Sequence, residues 1–160
     1  MAMKRRLIDA ICAQLEKDLV ALKAAAMQTY AAATGEESRP ENEYDTRALE
    51  ASYLAGAQAS RVLDTEASLV SMKLLELRDF DSLTPIASSA LVHLEVKNKK
   101  IDVFVVPAKG GMTLPFESRL IQVITLQSPL GESLLGLKVG DVATVEREKE
   151  VLEYEVLSVE

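Results

Sequence analysis

The stretch GEESRPENEYD, Gly35 to Asp45, interrupts an N-terminal half that is otherwise rich in alanine and leucine. Gly35 and Pro40 forbid an unbroken helix through it. It sets five carboxylates, Glu36, Glu37, Glu41, Glu43 and Asp45, against the single cation Arg39. The segments on either side both carry helical periodicity, so the stretch reads as the acidic tip of a helical hairpin. The ordinary alternative is a solvated turn, because charged residues between helices usually do no more than face water.

On the N-terminal side, from Met3 to about Ala33, the residues Ile8, Ile11, Cys12, Leu15, Leu19, Leu22 and Ala26 recur at three- and four-residue intervals, as one helix face requires. Alanine runs at 24–26 and 31–33 add intrinsic propensity, and the segment spans about 45 Å at the helical rise. So long a helix needs a partner. It is expected in a second helix, from about Glu43 to Leu77, with Leu49, Tyr53, Gly56, Ser60, Leu63, Ala67, Val70, Leu74 and Leu77 as its buried stripe. Small residues near the tip (Ala31, Ala32, Ala55, Gly56, Ala59) would let the helices approach closely there. Asn42 suits the cap of the second helix, and Glu43 and Asp45 suit the positive end of its dipole. That leaves Glu36, Glu37 and Glu41 without a structural explanation.

Beyond Leu77 the chain changes character. Asp79, Asp81, Pro85, Ser88 and Ser89 read as a linker, and the apolar period then falls to two. Val92, Leu94 and Val96 alternate with His93 and Glu95; Lys97 to Lys100 reads as a turn into Ile101–Val106. Gly110-Gly111 precedes a strand at 120–126. In SPLGESLLG (128–136), Ser128 caps a short helix, Pro129 starts it and Gly136 stops it. Val139-Gly140-Asp141 turns into a closing strand pair at 142–146 and 151–159. The expected fold is α+β: a helical hairpin over 1–78, a linker over 79–89, and over 90–160 a small antiparallel sheet with one helix across a face.

Composition narrows the function. The chain has 160 residues, 48% hydrophobic and 27% charged, with a net charge of −7, which suits a folded protein and argues against direct DNA binding. No apolar run approaches the roughly 18 residues of a membrane span, and no leader pattern opens the chain, so a cytoplasmic location is expected. Cys12 is alone, on an apolar face, and reads as a buried thiol. His93 has no nucleophile or carboxylate that spacing places beside it, and reads as a surface residue. Gly110-Gly111 lacks the context of a phosphate loop. No self-contained active site is visible.

These residues resemble a known family. SPLGESLLGLKVGD (128–141) with the closing YEVLSVE resembles the FKBP-like C-terminal domain of the bacterial Gre family of transcript cleavage and elongation factors, with Ser128, Pro129, Leu130, Gly136, Gly140 and Asp141 carrying the likeness. Glu41-Asn42-Glu43-Tyr44 is similar to the Glu-Asn-Ala-Glu-Tyr of that family's tip. The resemblance implies a factor that binds RNA polymerase through the β domain, at the rim of the secondary channel, and inserts the hairpin. Tip carboxylates would then help hold a second Mg²⁺ in the polymerase active site, and nascent RNA would be met only there. Glu37 and Glu41 are the candidate donors; Glu36, Asn42, Glu43, Tyr44 and Asp45 are the candidate partner-facing tip. The family's Gly-Asp-Leu-Lys-Glu-Asn-Ala-Glu-Tyr is not matched in full: aligned on Glu41-Asn42, Ser38 replaces the Asp; aligned on Tyr44, Glu37 takes the Asp position and Pro40 the Glu position. Altered or weak cleavage stimulation is therefore expected, with an authentic cleavage factor using Glu37 and Glu41, and an FKBP-like isomerase or chaperone module, as alternatives. The scarcity of aromatic residues speaks against the isomerase.

Overall fold

The computed structural model describes residues 1–34 and 47–160. The tip residues Glu36, Glu37, Glu41, Asn42, Glu43, Tyr44 and Asp45, and the proposed Asn42 cap, lie outside the described residues. The chain divides into two compact units, Cys12–Val70 and Met1–Ile11 with Ser71–Glu160.

The first unit takes the greater part of helix α1 (Ala2–Thr34), from Cys12 onward, and of helix α2 (Arg47–Lys73), up to Val70. On α1 the inward row runs through Leu15, Leu19, Leu22, Ala26 and Thr29, as the periodicity predicts. An ion pair between Lys23 and Glu66, at 3.1 Å, ties the two helices. Most of the expected stripe faces the wrong way: Tyr53, Leu63, Val70 and Leu74 are 72, 65, 55 and 78% exposed, whereas Leu77, just beyond the helix, is buried as expected. The inward row is instead Ala55, Gln58, Val62, Thr65, Leu69 and Met72. Both rows have the three-four spacing of a coiled-coil seam, so spacing does not choose between them. The inner row contains polar residues, and Thr65 is tolerated there because its hydroxyl donates to the Arg61 carbonyl at 2.8 Å.

In the second unit six strands follow: β1 (Leu91–Val96), β2 (Lys99–Val106), β3 (Thr113–Phe116), β4 (Arg119–Thr125), β5 (Val142–Arg147) and β6 (Glu150–Val159). They form one sheet in the order β3-β4-β2-β1-β6-β5. Every neighbouring pair is antiparallel except β2 and β4, which run parallel. The short edge strand β3, with Pro115 inside it, sends the chain out and back so that β4 returns beside β2. Sequence reading anticipates β4 but not β3. The expected Lys97–Lys100 turn tightens to Lys97 and Asn98, both at positive φ (49° and 61°), with Lys99 and Lys100 already in β2. Two residues in that conformation form the hairpin turn whose twist matches the strands.

One face of the sheet buries Val92, Leu94, Val103, Val105, Ala143, Val145, Tyr154 and Val156 with Leu134 of helix α3 (Pro129–Leu134). The segment 79–89 has irregular backbone yet is held by hydrogen bonds. Ile86 is buried, its N–H donates to Leu137 and its carbonyl accepts from Gly136. The first turns of α1 are fastened to the same unit through Arg6 and Glu117, 3.0 Å apart, and through Arg119 Nη2 donating to Met3 Sδ at 3.3 Å.

His93 departs from the expected free surface position. It sits directly across from Asp102 in the β1–β2 register, and its Nδ1 pairs with that carboxylate. Its Nε2 lies 3.5 Å from Glu160, and Arg119 approaches Asp102 at 3.8 Å. The partner is distant in spacing terms because a hairpin, not a helix turn, brings it near. Cys12 is buried, as expected.

Candidate functional site

The element that shapes the site is α3. Ser128 Oγ accepts from the Gly131 N–H at 3.1 Å and donates to the Thr125 carbonyl at 2.7 Å. One hydroxyl thus caps the helix and fastens it to the end of β4. Pro129 follows at the first helical positions, where its missing N–H costs nothing. Gly131 is required by close approach: a Cβ there would fall 1.8 Å from the Thr125 oxygen. On the other side Ser133 Oγ donates to the Thr144 carbonyl at 3.0 Å, clamping α3 to β5.

Held in this way, α3 walls a cleft of about 500 Å³ between the Gly110-Gly111 loop, β4 and β5. Ser128, Pro129 and Leu130 line it, with Met112, Ile124, Val145 and Tyr154 as apolar surface and Gln122, Glu146 and Arg147 at its polar edge. Gly136, Gly140 and Asp141 are not in the cleft lining; they are scaffold. Gly136 (φ 81°) ends the helix and Gly140 (φ 91°) forms the turn. The Asp141 carboxylate accepts from the Lys138 N–H at 2.8 Å, and the Asp141 carbonyl accepts from Val156. The motif is therefore half surface and half framework. Sequence reading misses Met112, Gln122 and Arg147, which converge on the cleft only through the sheet order; the Gly-Gly pair before Met112 is the one local signal.

Two groups in this unit have displaced pKa values. Burial lowers Lys4 to about 8, against the opposing pull of Asp79 and Glu160. Asp81 is lowered by the Thr84 hydroxyl and by the backbone N–H groups of Leu83 and Thr84, which its Oδ1 accepts as the cap of a tight turn. Neither lines the cleft. Among the described residues no group of three or more His, Cys, Asp or Glu could hold a metal ion, and no helix is long and apolar enough to cross a membrane.

Two long helices and, in a separate unit, a six-stranded sheet with a capped helix and an apolar cleft define a two-unit α+β class of protein. Comparison makes this specific. The family model "Transcription elongation factor, GreA/GreB, C-term" matches residues 113–160. The transcription elongation factor GreA of Amoebophilus asiaticus is 30% identical over 112 residues, covering 68% of this chain and 69% of that protein. GreA of Acholeplasma laidlawii is 28% identical over 86 residues, covering 54% of this chain and about half, 51%, of its own length. The chain belongs to the GreA/GreB family of transcription elongation factors. The crystal structure of GreA factor homolog 1 (Gfh1) of Thermus thermophilus is 20% identical, with 93% of this chain and 94% of that one covered and a TM-score of 0.39, too loose a superposition to carry any argument.

Proposed function

We propose that this chain binds RNA polymerase, docks through the α3 cleft of the β unit at the rim of the secondary channel, and extends its helical hairpin toward the polymerase active centre to modulate elongation. The observation that carries the reading is the pair of helices of 33 and 27 residues bracketing the acid-rich Gly35–Asp45 sequence. At the helical rise these are arms of about 50 and 40 Å, long enough to carry carboxylates far from their own domain. The apolar cleft, rimmed by Gln122 and Arg147, supplies the kind of surface on which a partner's side chains can be anchored.

The donor chemistry fits Mg²⁺. Glu37 and Glu41 offer the hard oxygen ligands that cation prefers, and in a phosphodiester hydrolysis a second metal ion activates water and steadies the leaving oxygen. This chain's part is to bring its carboxylates to that place and hold them there. Cleavage stimulation is weak or absent in this reading, because Ser38 or Pro40 replaces a member of the family's acidic pair, and a misplacement of about 1 Å can cost on the order of 100-fold in rate. The cytoplasm is the compartment this partner implies, and no cofactor of the chain's own is needed.

Polymerase complexes stalled with backtracked RNA test the proposal when binding and RNA shortening are scored separately. Binding without shortening is the expected result. Binding with Mg²⁺-dependent shortening that a Glu37→Ala, Glu41→Ala double variant abolishes selects the cleavage factor instead. Absence of binding overturns the polymerase reading, and turnover in a proline-peptide isomerisation assay would put the FKBP-like alternative in its place. Tyr154 is the one aromatic residue in the cleft lining, which is poor equipment for a prolyl site.

A further inference from the structure

A cavity of about 290 Å³ opens beside the first turn of α1, lined by Met1, Met3, Lys4, Asp79, Phe80 and Glu160. Lys4 is a buried residue, so a molecule that reaches its nitrogen comes through this cavity. Among the described residues its one hydrogen bond goes to the Arg78 carbonyl, at 2.6 Å, and its nitrogen lies 4.6 Å from the centre of the Phe80 ring. An ammonium carries three N–H groups, and the site supplies a hydrogen-bond acceptor for one of them. Nothing in the cleft beside α3 involves this amine.

Burial lowers the Lys4 pKa to about 8. At pH 7 about one molecule in ten then carries a free amine here, against about one in 2,500 for an ordinary lysine. A desolvated lysine amine of this kind is a nucleophile toward carbonyl carbon. The surroundings decide which product fits. Acylation erases the positive charge, leaving Asp79 and Glu160 beside a neutral amide and the Phe80 ring without its cation. A protonated imine keeps the charge, so the ring and both carboxylates keep their partner. It also has a single N–H, which matches the single acceptor on Arg78. Met1 and Met3 give the cavity an apolar wall suited to a short carbon chain.

We propose that Lys4 captures small aldehydes through this cavity as a protonated imine. The amine lone pair adds to the carbonyl carbon to give a carbinolamine. A carboxylate at the cavity, Asp79 or Glu160, takes the proton that the nitrogen sheds and returns it to the hydroxyl, which leaves as water as the C=N bond forms. One proton from solvent then stays on the nitrogen. The inference goes beyond the polymerase reading and does not depend on it.

Propionaldehyde with cyanoborohydride, which reduces the imine to a stable secondary amine, tests it on the full chain at pH 7. Peptide mass spectrometry reads the labelling rate at each of the ten lysines. Burial alone makes Lys4 the slowest of them. The proposal makes it the fastest, by threefold or more, and any smaller lead overturns it. The lead should fall below threefold in denaturing urea, and also at pH 10.5, where about half of the exposed lysines carry free amines as well. A lead that survives in urea belongs to the local sequence and not to the cavity, and one that survives at pH 10.5 does not come from the free amine; either result overturns the proposal.

Discussion

Lys4 is where burial and charge conflict most directly in this chain. Only 2% of the residue is exposed; its ammonium donates to the Arg78 carbonyl at 2.6 Å and lies 4.6 Å from the centre of the Phe80 ring. Burial outweighs the carboxylates of Asp79 and Glu160 and lowers its pKa from 10.5 to about 8. Between those values the unfolded chain holds a proton that the folded chain has lost, so this residue makes stability rise with pH across that window. Below it, both states are protonated and the cost of burying the charge is fully present. Lys4→Met is expected to flatten the rise between pH 8 and 10.5, measured as the difference in urea midpoint between variant and parent; an unchanged slope contradicts the assignment. Gln58 presents a related conflict, for its Oε1 is buried in the inner row of α2 with no hydrogen-bond partner. An unmet acceptor costs about 1–3 kcal/mol, so Gln58→Leu should raise the unfolding free energy by a comparable amount, read from urea denaturation. Such single-residue features are poorly legible in a sequence. Cys12 could be placed because it shares a periodic face, whereas the pairing of His93 with Asp102 depends on a strand register that only the completed hairpin defines.

At the scale of elements, α3 is the clearest case of local chemistry deciding structure. Ser128, Pro129 and Gly136 stand at the cap, start and stop that their residue types favour, and all three were readable in advance. Ser128→Ala should cost about 1 kcal/mol through loss of the cap, seen as a lower thermal midpoint. Gly131→Ala should cost about 1–3 kcal/mol or more, because the added methyl meets the Thr125 carbonyl and α3 must move away from β4. Gly56→Ala is the internal comparison: nothing lies within 4 Å of its Cβ position, so the helix should gain up to about 1 kcal/mol. A destabilised Gly56→Ala would show that helix propensity is outweighed at that point. The helices themselves were equally legible, but not which face of α2 turns inward, since both rows repeat every three and four residues. The parallel β2–β4 pair was hidden for a different reason. Alternation reports which side of a strand is buried, and says nothing about its direction or neighbour.

For the whole molecule, the family model reaches only residues 113–160, so the two ends of the proposed machine rest on different grounds. The β unit is recognised through its fold-bearing motif, while the arm is read from the lengths of α1 and α2 and from the acids of the Gly35–Asp45 sequence. Half of the SPLG…GD motif, Gly136, Gly140 and Asp141, maintains the turns behind the cleft, and Ser128, Pro129 and Leu130 form its wall. Docking and active-site effects should consequently separate by mutation. Met112→Glu places a charge on the apolar lining without disturbing a described hydrogen bond of that side chain. It should weaken polymerase binding by about tenfold or more, the loss of one buried apolar anchor, while the thermal midpoint stays near that of the parent. The Glu37→Ala, Glu41→Ala double variant should bind polymerase as the parent does and alter only what the bound factor does to elongation rate. Equilibrium binding and single-complex elongation, measured on both variants, distinguish these effects. If the tip variant loses binding as severely as the cleft variant, affinity comes from the arm and the β unit is not the docking module.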